Sequence, residues 1–158
     1  MIMECTTHEQ IINTVAEIEL VYRTNVKPSQ RPTVKCSKDA YKLFLESWDR
    51  DRIEMAEQFK VMLLNRGKKV LGIVEISTGG ITGTVADPRL VLAAALKALA
   101  CSIILCHNHP SGQLEPSSND TKLTTKIKEA GKFMDIDVID SLIISEESYC
   151  SLADEGLL

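Results

Sequence analysis

Residues 107–120 read HNHPSGQLEPSSND, with two histidines one residue apart and a carboxylate eleven positions after the second. Two imidazoles and one carboxylate are the nitrogen and oxygen donors of a tetrahedral zinc ion, with His107, His109 and Asp120 as the ligands. Three protein ligands leave the fourth position to water, which is the arrangement of a catalytic and not a structural metal. On a strand, the two-residue period turns the rings of His107 and His109 to one face. Pro110, Ser111, Gly112 and Pro116 are turn formers that can reverse the chain and return Asp120 to the histidines.

The neighbouring segments suit that task. Ser102 to Cys106 (SIILC) is a short continuous apolar run, as in a strand covered on both faces, and it delivers His107 at its C-terminal end. Ser117 and Asp120 have the spacing of a capping box, and Leu123, Ile127 and Ala130 give the following helix an apolar stripe that runs to Gly131. A carboxylate at the third helical position faces the positive end of the helix dipole, which lowers its proton affinity and keeps it ionised as a ligand. Cys106 points to the opposite face of the strand and reads as a buried structural thiol.

Upstream, residues 6–16 read as a short helix capped by Thr6 or Thr7, and Ile18 to Tyr22 as a strand. The polar, turn-rich stretch from Asn25 to Pro32 makes residues 1–33 an N-terminal arm or linker leading into a core domain over residues 34–158. Ser37 is a candidate N-cap for a helix running to Trp48, with Ala40, Leu43, Phe44 and Ser47 at helical spacing. From Glu57 the period changes: Phe59, Val61 and Leu63 alternate with Gln58, Lys60 and Met62, and a turn at Asn65, Arg66 and Gly67 leads to Val70 through Ile76 in a hairpin. Gly79, Gly80 and Gly83 precede a short strand near Thr82 to Val85. Asp87 and Pro88 then cap a helix over Arg89 to Ala100. Val138 to Ile144 reads as a last strand and Ser148 to Asp154 as a short C-terminal helix. Strands alternating with helices, with one antiparallel hairpin, predict an α/β domain whose mixed sheet is flanked by helices.

Composition narrows the function classes. A chain of 158 residues with 44% hydrophobic content suits one domain with a full core. Eighteen basic against twenty-two acidic residues, a net charge of -4, argue against a broad positive surface for duplex DNA. Lys122, Lys126, Lys128 and Lys132 read as a solvated helix face. Cys5, Cys36, Cys101, Cys106 and Cys150 have no paired spacing, so neither a disulfide framework nor a thiolate zinc site is expected and the thiols are read as reduced. No basic segment precedes an apolar run at the N-terminus, and no stretch approaches the roughly 18 apolar residues of a membrane span. A soluble, cytoplasmic protein with no membrane partner is expected.

Water activated by a metal needs a base to take its proton, and spacing alone does not choose among the acidic residues. Glu57 stands out because it opens a strand, from whose end a carboxylate reaches a site at the end of a neighbouring one. The structural alternative is a solvated strand-edge residue. His8 has no partner in the motif.

With these residues, the stretch from about Val34 to Leu158 resembles the RadC-like proteins of the JAB/MPN (JAMM) metalloprotease-like superfamily. That superfamily's pattern is a glutamate, then H-x-H-P, then S-x-x-D, matched here by Glu57, by His107 through Pro110 and by Ser117 through Asp120. Glu57 and Phe59 in EQF, Asp87-Pro88-Arg89, and the ending from Ser151 to Leu158 are further RadC-like marks. The resemblance implies a sheet related in outline to the cytidine deaminase fold, one zinc per chain on His107, His109 and Asp120, and Glu57 as general base. It also implies that Ser117 hydrogen-bonds the oxyanion and that the reaction is hydrolysis of a peptide or isopeptide amide, the substrate in better-known relatives being a ubiquitin-like conjugate.

Two departures qualify it. RadC-like proteins usually carry an N-terminal helix-hairpin-helix region, and the residues before Val34 are too few for one and lack its glycine pattern, so the resemblance does not carry over DNA contact by that route, and DNA stays a weakly supported partner. Many relatives have a histidine after an aspartate where this chain has Asp140 followed by Ser141. The competing reading is a binding module in DNA repair or processing that keeps the metal site for structure or as a remnant. A nucleobase deaminase lacks its P-C-x-x-C and H-x-E elements here, and Cys101 and Cys106 lack the activated context of a cysteine hydrolase.

Overall fold

The apolar run that ends in His107 forms the middle strand of a five-stranded mixed sheet in the computed structural model, which describes residues 22–80 and 85–158. The strands are β1 (Gln58–Leu64), β2 (Val70–Thr78), β3 (Ser102–Asn108), β4 (Asp137–Ile144) and β5 (Tyr149–Ser151), and their order across the sheet is β2-β1-β3-β4-β5. Only the β3–β4 pair is parallel; the other three pairs are antiparallel. A parallel pair needs a crossover, and the helix α3 (Ser118–Lys132) supplies it. Among the described residues the other α-helices are α1 (Ser37–Ser47) and α2 (Pro88–Lys97). The expected α/β class, a mixed sheet flanked by helices, is what is found.

Each face of the sheet has its own core. Phe59, Val61, Leu63, Ile103 and Leu105 pack against Val91 and Ala95 of α2 and Ile127 of α3. Met62, Leu64, Ile104, Cys106 and Leu142 pack against Ala40 and Phe44 of α1 and against Trp48. The alternation read in β1 therefore separates two buried sets, and the polar members are buried as well. Lys60 donates from Nζ to the Ser47 carbonyl at 2.8 Å and lies 4.3 Å from the centre of the Trp48 ring. Cys106 is fully buried on the face opposite His107, as expected.

Several expected boundaries move. α1 starts at Ser37 with Cys36 as its N-cap, because the Ser37 hydroxyl is engaged with Asp154 and Tyr149. α2 closes at Lys97 and not Ala100, since Leu99 adopts the left-handed region at φ 56°. α3 passes through Gly131: a Cβ there would lie 2.5 Å from the Ile136 carbonyl oxygen, so this glycine permits close packing and does not end the helix. The helix expected over Ser148 to Asp154 is instead β5 and a turn. Pairing with β4, the stack of Tyr149 on Tyr41 and the bond from Ser151 Oγ to Asp140 Oδ2 at 2.7 Å override local preference. The expected helix over 6–16 and most of the strands over 18–22 and 82–85 lie outside the described residues, and Tyr22 and Val85 lie in irregular segments. Between Asn25 and Pro32, Pro28–Gln30 form one 3-10 turn, and Pro32 accepts from the Val70 N–H. No helix among the described residues is long and apolar enough to cross a membrane.

Candidate metal centre

β3 holds its last residues firmly because it is paired on both sides, Phe59 lying across from His107 on β1 and Ile143 on β4. The buried His107 ring stacks nearly parallel to Phe59, with centroids 6.2 Å apart. His109 lies one residue past the strand, yet its N–H still donates to the Ile144 carbonyl at 3.1 Å, so the two-residue alternation persists. Both rings emerge on one side with their Nε2 atoms 3.0 Å apart. On His109, Nδ1 meets the Gln113 carbonyl. A proton on Nδ1 makes that bond and leaves Nε2 free as a ligand, the usual way in which an outer partner orients a metal-binding imidazole.

The connecting loop turns back at once: Gly112 donates to the His109 carbonyl at 2.9 Å and takes φ 76°, a conformation suited to glycine. The chain then enters α3 through a complete capping box. Ser117 Oγ accepts from the Asp120 N–H at 3.2 Å, and Asp120 Oδ2 accepts from the Ser117 N–H at 2.7 Å. The cap fixes the Asp120 carboxylate against the histidines, with Oδ1 at 3.3 Å from His107 Nε2 and Oδ2 at 4.0 Å from His109 Nε2. Burial alone would raise the proton affinity of Asp120, but hydrogen bonds from His107 and Ser117 outweigh it and hold the carboxyl far below the ordinary range.

One ligand atom from each residue lies within 4.8 Å of the others. Donors about 2.0–2.1 Å from a tetrahedral zinc stand roughly 3.3 Å from one another; the two Nε2 atoms at 3.0 Å and His107 Nε2 with Asp120 Oδ1 at 3.3 Å match that spacing, and the other carboxylate oxygen lies 4.0 Å from His109 Nε2. With the proton of each neutral ring on Nδ1, both Nε2 lone pairs face the Asp120 carboxylate, and a cation among them relieves the repulsion.

Glu57 lies immediately before β1 and not inside it, anchored through its own backbone to Gly79 at 2.8 Å and Gly80 at 3.3 Å. Half-buried, it lines a cavity of about 30 Å³ together with Phe59, His107, Asp120, Leu123, Thr124 and Ser141. Ser117 is exposed at the mouth of α3. The structure thus brings the two histidines, Asp120 and Ser117 together and sets Glu57 on the same cavity as His107 and Asp120. Thr124 and Ser141 were not singled out as site residues from the sequence; their buried hydroxyls share a hydrogen bond of 3.1 Å at the cavity wall. Thr124 had a usable signal, being four residues after Asp120 and so on the same face of α3. Ser141 was noted in the sequence only as a departure from the family resemblance, and nothing in its own segment pointed to the cavity.

The model of the RadC-like JAB domain matches residues 34–157. The chain belongs to the RadC-like JAB family. A protein of Flavobacterium johnsoniae named UPF0758 protein is 48% identical over 101 residues, covering 64% of this chain and 44% of the relative. One of Clostridium perfringens with the same name is 40% identical over 136 residues, covering 84% and 58%, and one of Desulforamulus reducens is 38% identical over 145 residues, covering 90% and 62%. The RadC-like chain spans about half the length of the curated relatives it matches. Its mixed five-stranded sheet and flanking helices are consistent with the JAB fold. Within this RadC-like site, Ser141, the residue after Asp140, lies on the cavity wall.

Proposed function

We infer that this RadC-like domain is a zinc-dependent hydrolase of peptide or isopeptide amide bonds. The observation that carries the reading is the convergence of His107 Nε2, His109 Nε2 and the Asp120 carboxylate beside a cavity that Glu57 also lines. His107, His109 and Asp120 would hold the zinc, which when bound polarises a carbonyl and lowers the pKa of a coordinated water. Glu57 takes the proton from the attacking water and returns it to the departing amine, so that neither a strong base nor a poor leaving group is formed in solution. Ser117 Oγ accepts from the Asp120 N–H, which leaves its own O–H to donate to the oxyanion as negative charge develops there. Phe59 and Leu123 supply apolar walls that limit water beside the reacting groups.

Elemental analysis of tag-free protein comes first, with about one zinc per chain expected in the parent and none in a His109→Ala, Asp120→Ala double variant. A panel of peptide, isopeptide and small amide substrates follows, in which Glu57→Gln is expected to lower kcat/KM by about 10² or more at unchanged zinc content. Zinc-loaded protein that cleaves none of these, or a Glu57→Gln variant as active as the parent, would overturn the hydrolase reading. Saturable binding of branched or single-stranded DNA that survives Glu57→Gln would support a DNA-processing module in its place.

A further inference from the structure

Asn108 stands between the two histidines, and the strand period turns its side chain to the opposite face, where it is wholly buried. Its Oδ1 accepts from the Gln58 N–H at 2.7 Å. Its Nδ2 donates to the Ile53 carbonyl at 2.6 Å and to the Ala56 carbonyl at 2.9 Å. Two of these partners, Ala56 and Gln58, are the chain neighbours of Glu57. The segment before β1 forms no strand over residues 49–56; besides the packing of Ile53 in the core, this amide ties it by hydrogen bonds to the central strand.

We propose that Asn108 is the positioning residue of the site: it joins the backbone on both sides of Glu57 to the strand that carries His107, so that base and metal ligands move as one unit. The proposal rests on the reading of Glu57 as the base. An amide of this length suits the task because one end must accept and the other must donate twice. Aspartate would offer no donor to the two carbonyls and would place a charge against them, and leucine would leave all three backbone groups unpaired in a dry interior. Meanwhile the histidines keep their places through β1 and β4, independently of the Asn108 side chain.

Two measurements decide it without a substrate. In the parent protein, the Gln58 amide should exchange with deuterium as slowly as amides inside β1, although it opens the strand; exchange at the rate of a loop amide would overturn the proposal. The second is a double-mutant cycle on the visible absorption of the cobalt(II)-loaded protein at one pH. Glu57→Gln and Asn108→Ala should each displace the bands with cobalt still bound at one per chain, and the double variant should match Glu57→Gln alone. Loss of cobalt from Asn108→Ala, a spectrum equal to the parent's, or the same added displacement with and without Glu57 would overturn it. If Glu57→Gln itself leaves the bands unmoved while the Gln58 amide is protected, the reading of Glu57 as base is what has failed, and the positioning role falls with it.

Discussion

Asp120 and Asp140 are both shielded carboxylates that accept backbone N–H groups, yet they stand on opposite faces of the sheet and differ in what remains open to them. Asp140 is saturated with donors, although it too borders a cavity, one of about 240 Å³: Oδ1 accepts from the N–H of Ser141 and of Ala153, and Oδ2 from the Ser151 hydroxyl. Asp120 receives one backbone N–H and otherwise faces two imidazoles and a cavity. Burial raises the proton affinity of Asp140 in spite of its three donors, whereas at Asp120 burial is outweighed by His107 and Ser117. The lesson is that a carboxylate satisfied on both edges holds the fold together, while one satisfied only along one edge has an oxygen that could serve a metal.

The strongest way to break the contrast is to remove each carboxylate in turn. Asp120→Ala is expected to abolish zinc uptake while the protein stays folded, read by elemental analysis beside circular dichroism. Asp140→Ala should retain zinc but lose about 2–4 kcal/mol of stability, because three donors lose their buried acceptor, as urea denaturation would report. A smaller effect lies in pH, measured on metal-free protein. Asp120 has a lowered folded pKa, so its contribution is present above the unfolded value of 3.8 and fades as pH falls below it. Asp140 has a raised one, so its contribution is full below 3.8 and is lost as pH rises through the folded value. Asp120→Asn should therefore close its stability gap to the parent as the solution is acidified, and Asp140→Asn should widen it; parallel gaps would contradict both assignments. The smallest effect is expected at Lys60, whose buried ammonium is costly to keep charged. Lys60→Met should leave the unfolding free energy from urea denaturation within about 1 kcal/mol of the parent or raise it.

Much of the site could be read from sequence because its parts are local. A capping box, two histidines at alternate positions and an apolar run before them are short-range patterns, and the loop between them is rich in turn formers. What stayed hidden depends on partners far along the chain. The C-terminal strand exists because Tyr149 meets Tyr41 and Ser151 meets Asp140. The tie of Asn108 to Ile53, Ala56 and Gln58 crosses 50 residues or more, and Ser141 reaches the cavity only because β4 lies beside β3. Gly131 shows the opposite error, since a residue that often ends helices is present here for the approach of Ile136.

All three candidate ligands come from one stretch, His107 to Asp120, whereas Glu57 arrives from a distant segment just ahead of β1. Holding an ion and using it are therefore separately heritable. A descendant can lose the glutamate and keep an intact, occupied centre, or drift in substrate while the fourteen-residue stretch stays unchanged, so possession of the ligand motif by a relative records ancestry and says nothing of its chemistry.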